Sequence, residues 1–249
     1  MKILNVRIDN ITKQQALGKV REFLNSQNQH TIFTPNPEML VEAHKDKAFR
    51  DILNSGSLNI CDGKGIELFS KEKIERIPGT DFMRSICKLA AEQGKSIYLL
   101  GGPGSIEKTK EELQKLFPHL TIVGSHSGPQ IIKAPQYQFA PGQSGINTKV
   151  IADIQQKNPD IFFVAFGHGK QEWWISSFLK EFPSVRIAMG VGGAFDYIAG
   201  SARRAPKWFR NMGLEWVFRL ITQPKRFKRI FNAVIIFPYL VLKERYVTK

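Results

Sequence analysis

Cysteine is nearly absent from this 249-residue chain, where Cys61 and Cys87 are the only two. Two isolated thiols build neither a disulfide framework nor a CxxC metal site, so a reducing compartment is the default and each reads as a small buried hydrophobe. Long apolar runs are lacking as well. The opening MKILNVRIDN holds no signal-peptide core. The longest apolar stretch, Ala233 to Leu242, is broken by Pro238 and covers about half of the ~20 residues a membrane-crossing helix needs. The chain is therefore expected neither to be exported nor to span a bilayer.

Several chemical signatures are missing too. The histidines His30, His44, His119, His126 and His168 have no ligand spacing with one another or with the cysteines, which removes a built-in zinc site. The only GK[ST] triplet, Gly94-Lys95-Ser96, precedes a strand and has Leu89 where a P-loop needs its first glycine. No GxGxxG follows a first strand, which excludes a dinucleotide fingerprint and, with it, a nucleotide-sugar dehydrogenase or epimerase. There is no DxD pair either, so a diphosphate bound here would be neutralised by arginines and amide dipoles instead of a chelated divalent ion.

Acidic residues are scarce, 22 against 36 Lys and Arg, for a net charge of +14. From Arg203 onward twelve basic side chains face only Glu215 and Glu244, so +10 of the +14 lies in the last fifth of the chain. A localised basic surface marks where an anionic partner docks. In this segment Trp208, Trp216, Phe218, Phe227 and Phe231 are interleaved with the cations. Such a mixture suits an anionic membrane surface, each basic residue adding up to ~1 kcal/mol near it. A nucleic-acid-binding end has a similar composition, but it explains the charge and not the ordered loops described next.

Up to about Gly200 short aliphatic runs alternate with stretches of helical period, the pattern of an α/β domain with a mainly parallel sheet and helices on both faces. The expected strands are Ile3 to Ile8, Thr31 to Thr34, Leu58 to Ile60, Ser96 to Leu100, Thr121 to Val123, Ile161 to Ala165 and Ile187 to Val191. Helices are expected over Lys13 to Asn25, Phe82 to Glu92, Ile106 to Phe117, Thr148 to Lys157 and Glu172 to Glu181. Ser125 to Asn147, rich in Gly, Pro, Gln and Ser, reads as a long surface loop. The composition changes after Gly200. Residues 1–200 are thus expected to form a core, and residues 201–249 a basic helical appendage.

Ligands of open parallel sheets bind beyond the carboxyl ends of the strands, so the loops there should converge on one crevice. The turn holding Gly101, Gly102 and Gly104 lies between a strand and a helix, where amides cradle phosphate; tight packing of that turn explains the glycines equally well. Gly192, Gly193 and Asp196 repeat the arrangement, with close packing again as the alternative. Asp62, between a strand end and Gly63, is a candidate general base or a helix cap. Thr34 and Asn36 suit a substrate contact or an ordinary turn and cap. Gln171 begins a helix near the same crevice. Arg219, Arg226 and Arg229, at offsets of seven and three, fall near one face if the segment is a single helix.

Taken in order, TPNPEML (Thr34 to Leu40), CDGKG (Cys61 to Gly65), RIPGTD (Arg76 to Asp81), YLLGGPG (Tyr98 to Gly104), FGHGKQEWW (Phe166 to Trp174), GVGGAFDYIAG (Gly190 to Gly200), RRAPKW (Arg203 to Trp208) and GLEWVFRL with QPKRFKR (Gly213 to Arg229) resemble the WecG/TagA/CpsF glycosyltransferase family. The resemblance implies an inverting transferase without metal or other cofactor. Its donor would be UDP-linked N-acetylmannosamine, the uronate or a related hexosamine, and its acceptor a polyprenyl-diphosphate-linked N-acetylglucosamine at the cytoplasmic membrane face. It further implies Asp62 as general base, Thr34, Asn36, Arg76 and Gln171 as substrate contacts, and Arg219, Arg226 and Arg229 closing over the diphosphate. Self-association is also implied, and nucleic acid is not a partner. The chain departs from the family pattern at His168 and Gly169, where a small residue and proline are usual, and in the longer Ser125 to Asn147 segment.

Overall fold

A computed structural model describes residues 1–206, 208–209 and 212–247. Of the basic residues counted in the C-terminal segment, Lys207, Arg210 and Lys249 lie outside the described residues, as does the side chain of Lys225. The chain opens with β1 (Lys2–Ile3) and β2 (Val6–Arg7), paired antiparallel. This corrects the single strand expected over Ile3 to Ile8, because Leu4 and Asn5 take positive φ (49° and 64°) and turn the segment back on itself.

Next come α1 (Lys13–Leu24), β3 (His30–Phe33), α2 (Pro37–Lys45), α3 (Lys47–Ser55), β4 (Leu58–Asn59), α4 (Lys64–Phe69), α5 (Gly79–Glu92) and β5 (Ser96–Gly101). The middle of the chain forms α6 (Ile106–Leu116), β6 (Thr121–His126), β7 (Ile131–Lys133), β8 (Tyr137–Phe139), α7 (Ser144–Lys157), β9 (Ile161–Ala165), α8 (Lys170–Phe178) and β10 (Ile187–Gly190). The last described elements are α9 (Ala194–Ile198), α10 (Glu215–Thr222), α11 (Phe227–Phe231), a π-helical stretch Asn232–Ile236 and α12 (Phe237–Val247).

Helices start where side chains satisfy the orphan amides of their first turn. Thr12 and Gln15 form a reciprocal capping box on α1. Asn36 caps α2, with Pro37 preset at the first helical position. Asp46 ends α2 and caps α3. The expected loop over Ser125 to Asn147 is corrected in part, since β7 and β8 pair antiparallel within it and α7 begins before it ends.

Six strands form one sheet in the order β4-β3-β10-β9-β5-β6, every pairing parallel. Side chains of a strand alternate between faces, and in a covered parallel sheet both faces are apolar. Tyr98, Leu100, Phe162, Val164 and Ala188 enter one buried cluster with residues of α2, α3, α7 and α8. Ile97, Leu99, Ile161, Phe163, Ile187 and Met189 enter the other, with residues of α1, α5, α6 and α9. The α/β architecture with helices on both faces is thus present as the sequence pattern implies. Cys61 and Cys87 are both buried.

The C-terminal helix belongs to this core. Phe237 and Val241 are buried in the cluster of α2 and α3, and Phe237 meets Phe69 edge on at 6.1 Å between ring centres. Arg245 donates to the Phe69 carbonyl at 2.5 Å, and Glu244 accepts from the Leu4 amide at 3.3 Å. Phe237→Ala should accordingly destabilise the whole protein by about 3–5 kcal/mol, the cost of emptying a buried aromatic site. Urea unfolding of parent and variant checks this; an unchanged midpoint would mean that α12 docks without holding the core.

Candidate active site

A cleft of about 320 Å³ opens beyond the carboxyl ends of β3 and β4, roofed by the C-terminal helices. Asn36, Asp62, Arg76, Tyr197, Arg204, Glu215, Trp216, Arg219, Arg226 and Arg229 contribute to its lining. Hydrogen bonding between the two strands continues past their ends. The Ile60 amide donates to the Phe33 carbonyl at 3.0 Å and the Asp62 amide to the Pro35 carbonyl at 3.0 Å, which holds Asp62 beside the loop that starts α2.

Asp62 is not the cap residue of the helix that follows it; Gly63 occupies that position of α4. Its carboxylate instead meets the start of α5, accepting a hydrogen bond from the Gly79 backbone. Burial pushes the Asp62 carboxyl up to about 6, the negative charge of Glu215 adds to the rise, and Arg219, the Gly79 amide and Arg76 hold it back. Such a carboxyl is half-ionised near the pH at which it would have to accept a proton, which is the tuning that general base catalysis requires. Thr34, buried, lies against the same Gly79, so Thr34 and Asp62 flank one backbone position.

Positive charge surrounds this carboxylate. Glu215 pairs with Arg219 at 2.5 Å one helical turn on, leaving the buried Nε of Arg219 as a donor without a partner among the described residues. Arg229 Nε donates to Glu38 at 2.6 Å. Arg204 grips Asp81 through two nitrogens at 2.6 and 3.1 Å. Burial above all, with the charges of Arg229 and Arg219 adding to it, pushes the Arg226 guanidinium below its ordinary value. The condition that would put these arginines on one helix face is not met: α10 stops at Thr222, and Pro224–Arg226 form a 3-10 turn before α11. That turn, not helical spacing, brings Arg219, Arg226 and Arg229 to one cleft.

The other expected site residues are placed differently. Asn36 lines the cleft, but its side-chain oxygen accepts from the Met39 amide at 3.1 Å as a helix cap. Gln171 is buried; it donates to Glu172 at 2.8 Å and accepts from the Gly192 amide at 2.8 Å, which ties the start of α8 to the loop after β10. Gly101 and Gly102 have positive φ and no room for a side chain, against Ala165 and Phe195 respectively. The amides of Gly102, Ser105 and Ile106 are used inside that region. Gly104 faces open space, and around Gly192 and Gly193 only distant atoms approach. Gly102 thus abuts Phe195, Gly193 lies beside the cleft residue Tyr197, and none of these glycines lines the cleft itself. Asp196 is half-buried there.

Glu38, Tyr197, Arg204 and Glu215 escaped the sequence reading. Glu38 and Asp81, each in the first turn of a helix that starts beside the cleft, carried the available signal, because carboxylates at such starts are stabilised by the helix and free to bind arginine.

The chain as a whole is similar to known proteins. The sequence model described as "Glycosyl transferase WecG/TagA/CpsF family" matches residues 1–249. Curated relatives include the N-acetylglucosaminyldiphosphoundecaprenol N-acetyl-beta-D-mannosaminyltransferases of Staphylococcus aureus strains MRSA252, NCTC 8325 / PS 47 and COL. Each is 30% identical over 98% of this chain and 92% of its own length.

Glu215→Gln should lower the Asp62 carboxyl from about 6, because the like charge that resists its ionisation is gone. Carbon-detected NMR titration of the Asp62 carboxyl checks the direction. An unmoved or raised midpoint would show that Glu215 acts on Arg219 alone.

Proposed function

The chain belongs to the WecG/TagA/CpsF glycosyl transferase family, and from that premise we propose that it moves N-acetylmannosamine, its uronate or a related hexosamine from a UDP donor to polyprenyl-diphosphate-linked N-acetylglucosamine, with inversion and without a metal ion. The observation that carries this reading is Asp62, a carboxylate raised to about 6, facing a cleft lined by Arg76, Arg204, Arg219, Arg226 and Arg229.

In this reaction the acceptor hydroxyl attacks the anomeric carbon from the face opposite UDP. The new carbon–oxygen bond forms as the bond to the diphosphate breaks, and Asp62 takes the hydroxyl proton. UDP leaves with the electron pair, and the growing charge falls on guanidinium groups already oriented by Glu215 and Glu38. Thr34 and Arg76 border the base and would contact the substrates. Gln171 would act through the loop it ties down. The backbone at Gly193, beside Tyr197, would border the nucleotide. The positive cleft supplies the counter-charge that a chelated metal ion supplies elsewhere.

Residues 201–249 then serve as the segment that completes the site and meets the membrane. Among the described residues no helix is long and apolar enough to cross a bilayer. Ile221, Phe227, Phe231, Ile235, Tyr239, Leu242 and Tyr246 are exposed on and between α10, α11 and α12, close in sequence to Lys228 and Lys243. An exposed apolar surface rimmed by cations suits a peripheral element on anionic lipid.

Asp62→Asn should lose at least ~10²-fold in turnover, measured as UDP release with a UDP-sugar panel and a short-chain lipid diphosphate acceptor, because the amide keeps the shape and accepts no proton. The parent should turn over equally with EDTA present. Its kcat/KM should fall as pH drops below about 6, where Asp62 becomes protonated. Turnover of Asp62→Asn within a few-fold of the parent would remove Asp62 as base. Separately, the triple variant Ile221→Ser, Phe227→Ser, Ile235→Ser should release the protein from anionic vesicles in a flotation assay and keep its rate on a water-soluble acceptor. Unchanged flotation would place the membrane contact elsewhere.

A further inference from the structure

One chain of polar contacts runs from the cleft along one face of α2 to the end of that helix. Arg229 donates from Nη2 to Nδ1 of His168 at 3.0 Å, while its Nε binds Glu38. On the other side of the ring, Nε2 of His168 lies 2.8 Å from Glu42 Oε2. Glu42 Oε1 accepts from Tyr137 at 2.5 Å and from Lys133 at 2.5 Å, both on the β7–β8 hairpin; Lys133 also reaches Asp46 at 2.8 Å. Burial acts to raise the Glu42 carboxyl, but the hydrogen bonds from His168, Lys133 and Tyr137 outweigh it and hold it down at about 2. Glu42 is therefore an anion across the working range.

The chemistry of the donors assigns the proton. A guanidinium only donates, so Nδ1 of His168 must be an acceptor when Arg229 is docked, and the carboxylate Glu42 only accepts, so Nε2 must carry the hydrogen. His168 is then neutral and in one tautomer. We propose that His168 is a positioning residue: as the neutral Nε2–H imidazole, fixed by Glu42, it holds Arg229 at the cleft, and its protonation releases that arginine. This rests on the reading of Arg229 as a diphosphate ligand. A second proton on the ring would sit on Nδ1, pointing an N–H at the guanidinium and turning the contact into repulsion between cations, with Glu38, 3.5 Å from Nδ1, as its competing acceptor.

The groups around the ring set where this happens. Burial lowers the tendency of His168 to charge; the hydrogen bond to Glu42 and the charge of Glu38 oppose burial, Arg229 reinforces it, and the balance leaves the imidazole above the ordinary histidine value. From the adjacent α8, Glu172 also faces His168, its own carboxyl raised by burial against the hydrogen bond of Gln171 and the charge of His168. Lys133 and Tyr137 act one bond further out, through Glu42. The proton that silences the base and the proton that frees Arg229 are therefore distinct, Asp62 taking one at about 6 and His168, held above the ordinary histidine value, taking the other first as the pH falls.

The experiment uses the full chain, His168→Gln, His168→Ala, Arg229→Ala and the double variant His168→Ala/Arg229→Ala, with kcat and KM for the UDP-sugar measured across the acid limb. His168→Ala should lower kcat/KM about tenfold, the fold-change expected for one lost hydrogen bond to a charged group, and the double variant should be no slower than Arg229→Ala. The parent's acid limb should report two protons, that of His168→Gln only one, since an amide offers an acceptor and a donor without titrating. Histidine nitrogen NMR of the parent should show the Nε2–H tautomer of His168 at about pH 8, well above the point where an ordinary imidazole charges. Additive losses in the double variant, an unchanged limb in His168→Gln, or a charged or Nδ1–H ring at that pH would each overturn the assignment. If Arg229→Ala alone leaves turnover and UDP affinity intact, the diphosphate reading of Arg229 falls and the inference falls with it; if Arg229→Ala is impaired but the losses are additive, only the inference falls.

Discussion

Keeping one carboxylate partly withdrawn from water among several guanidinium groups is the constraint around which this molecule is arranged. An isolated buried carboxylate would simply stay protonated, and one gripped by arginine would stay ionised to low pH. Asp62 avoids both outcomes because its neighbours oppose one another: burial and Glu215 push its carboxyl up, while Arg219, the Gly79 amide and Arg76 pull it back. The arginines in turn need carboxylates to fix their direction. Glu215, Glu38 and Asp81 do so from α10, α2 and α5, so that three separate helices contribute to the charge balance of one cleft.

That balance explains why the C-terminal segment is built into the core. Guanidinium groups held against partner carboxylates need a firm support, and short surface helices alone do not supply it. Phe237 and Val241 anchor α12 in the same apolar cluster as α2, the helix that carries Glu38 and Glu42. The cleft therefore lies between two parts of one packed unit. Several other apolar side chains of the segment, such as Ile221 and Tyr239, stay exposed.

Much of this was legible in the chain because it depends on local rules. Alternation in Ile97 to Leu100 and Ile161 to Val164 reflects a strand covered on both faces, and the loops after those strands were expected to meet for the same topological reason. Asp62 stood out through its place after a strand and before Gly63. The helices α2 and α3 went unread although Asn36-Pro37 and Asp46 are capping signals, because their apolar positions fall between short polar breaks. The hairpin within Ser125 to Asn147 was hidden by turn-rich composition, since strands of three residues leave almost no periodicity.

What the sequence alone determined about this protein is its class: a covered parallel sheet, the absence of spanning, dinucleotide and P-loop signatures, the family, and a concentration of cations near the end of the chain. All of these follow from composition, period and motif order, which are properties of neighbouring residues. Tertiary structure alone decided which carboxylate each arginine meets, that Gln171 and Asn36 spend hydrogen bonds on the scaffold, and that His168 joins Glu42 to Arg229. Those facts turn on distances between residues separated by as many as 191 positions, as between Glu38 and Arg229, and on burial, which sets how strongly each charge is felt. No local pattern encodes either quantity.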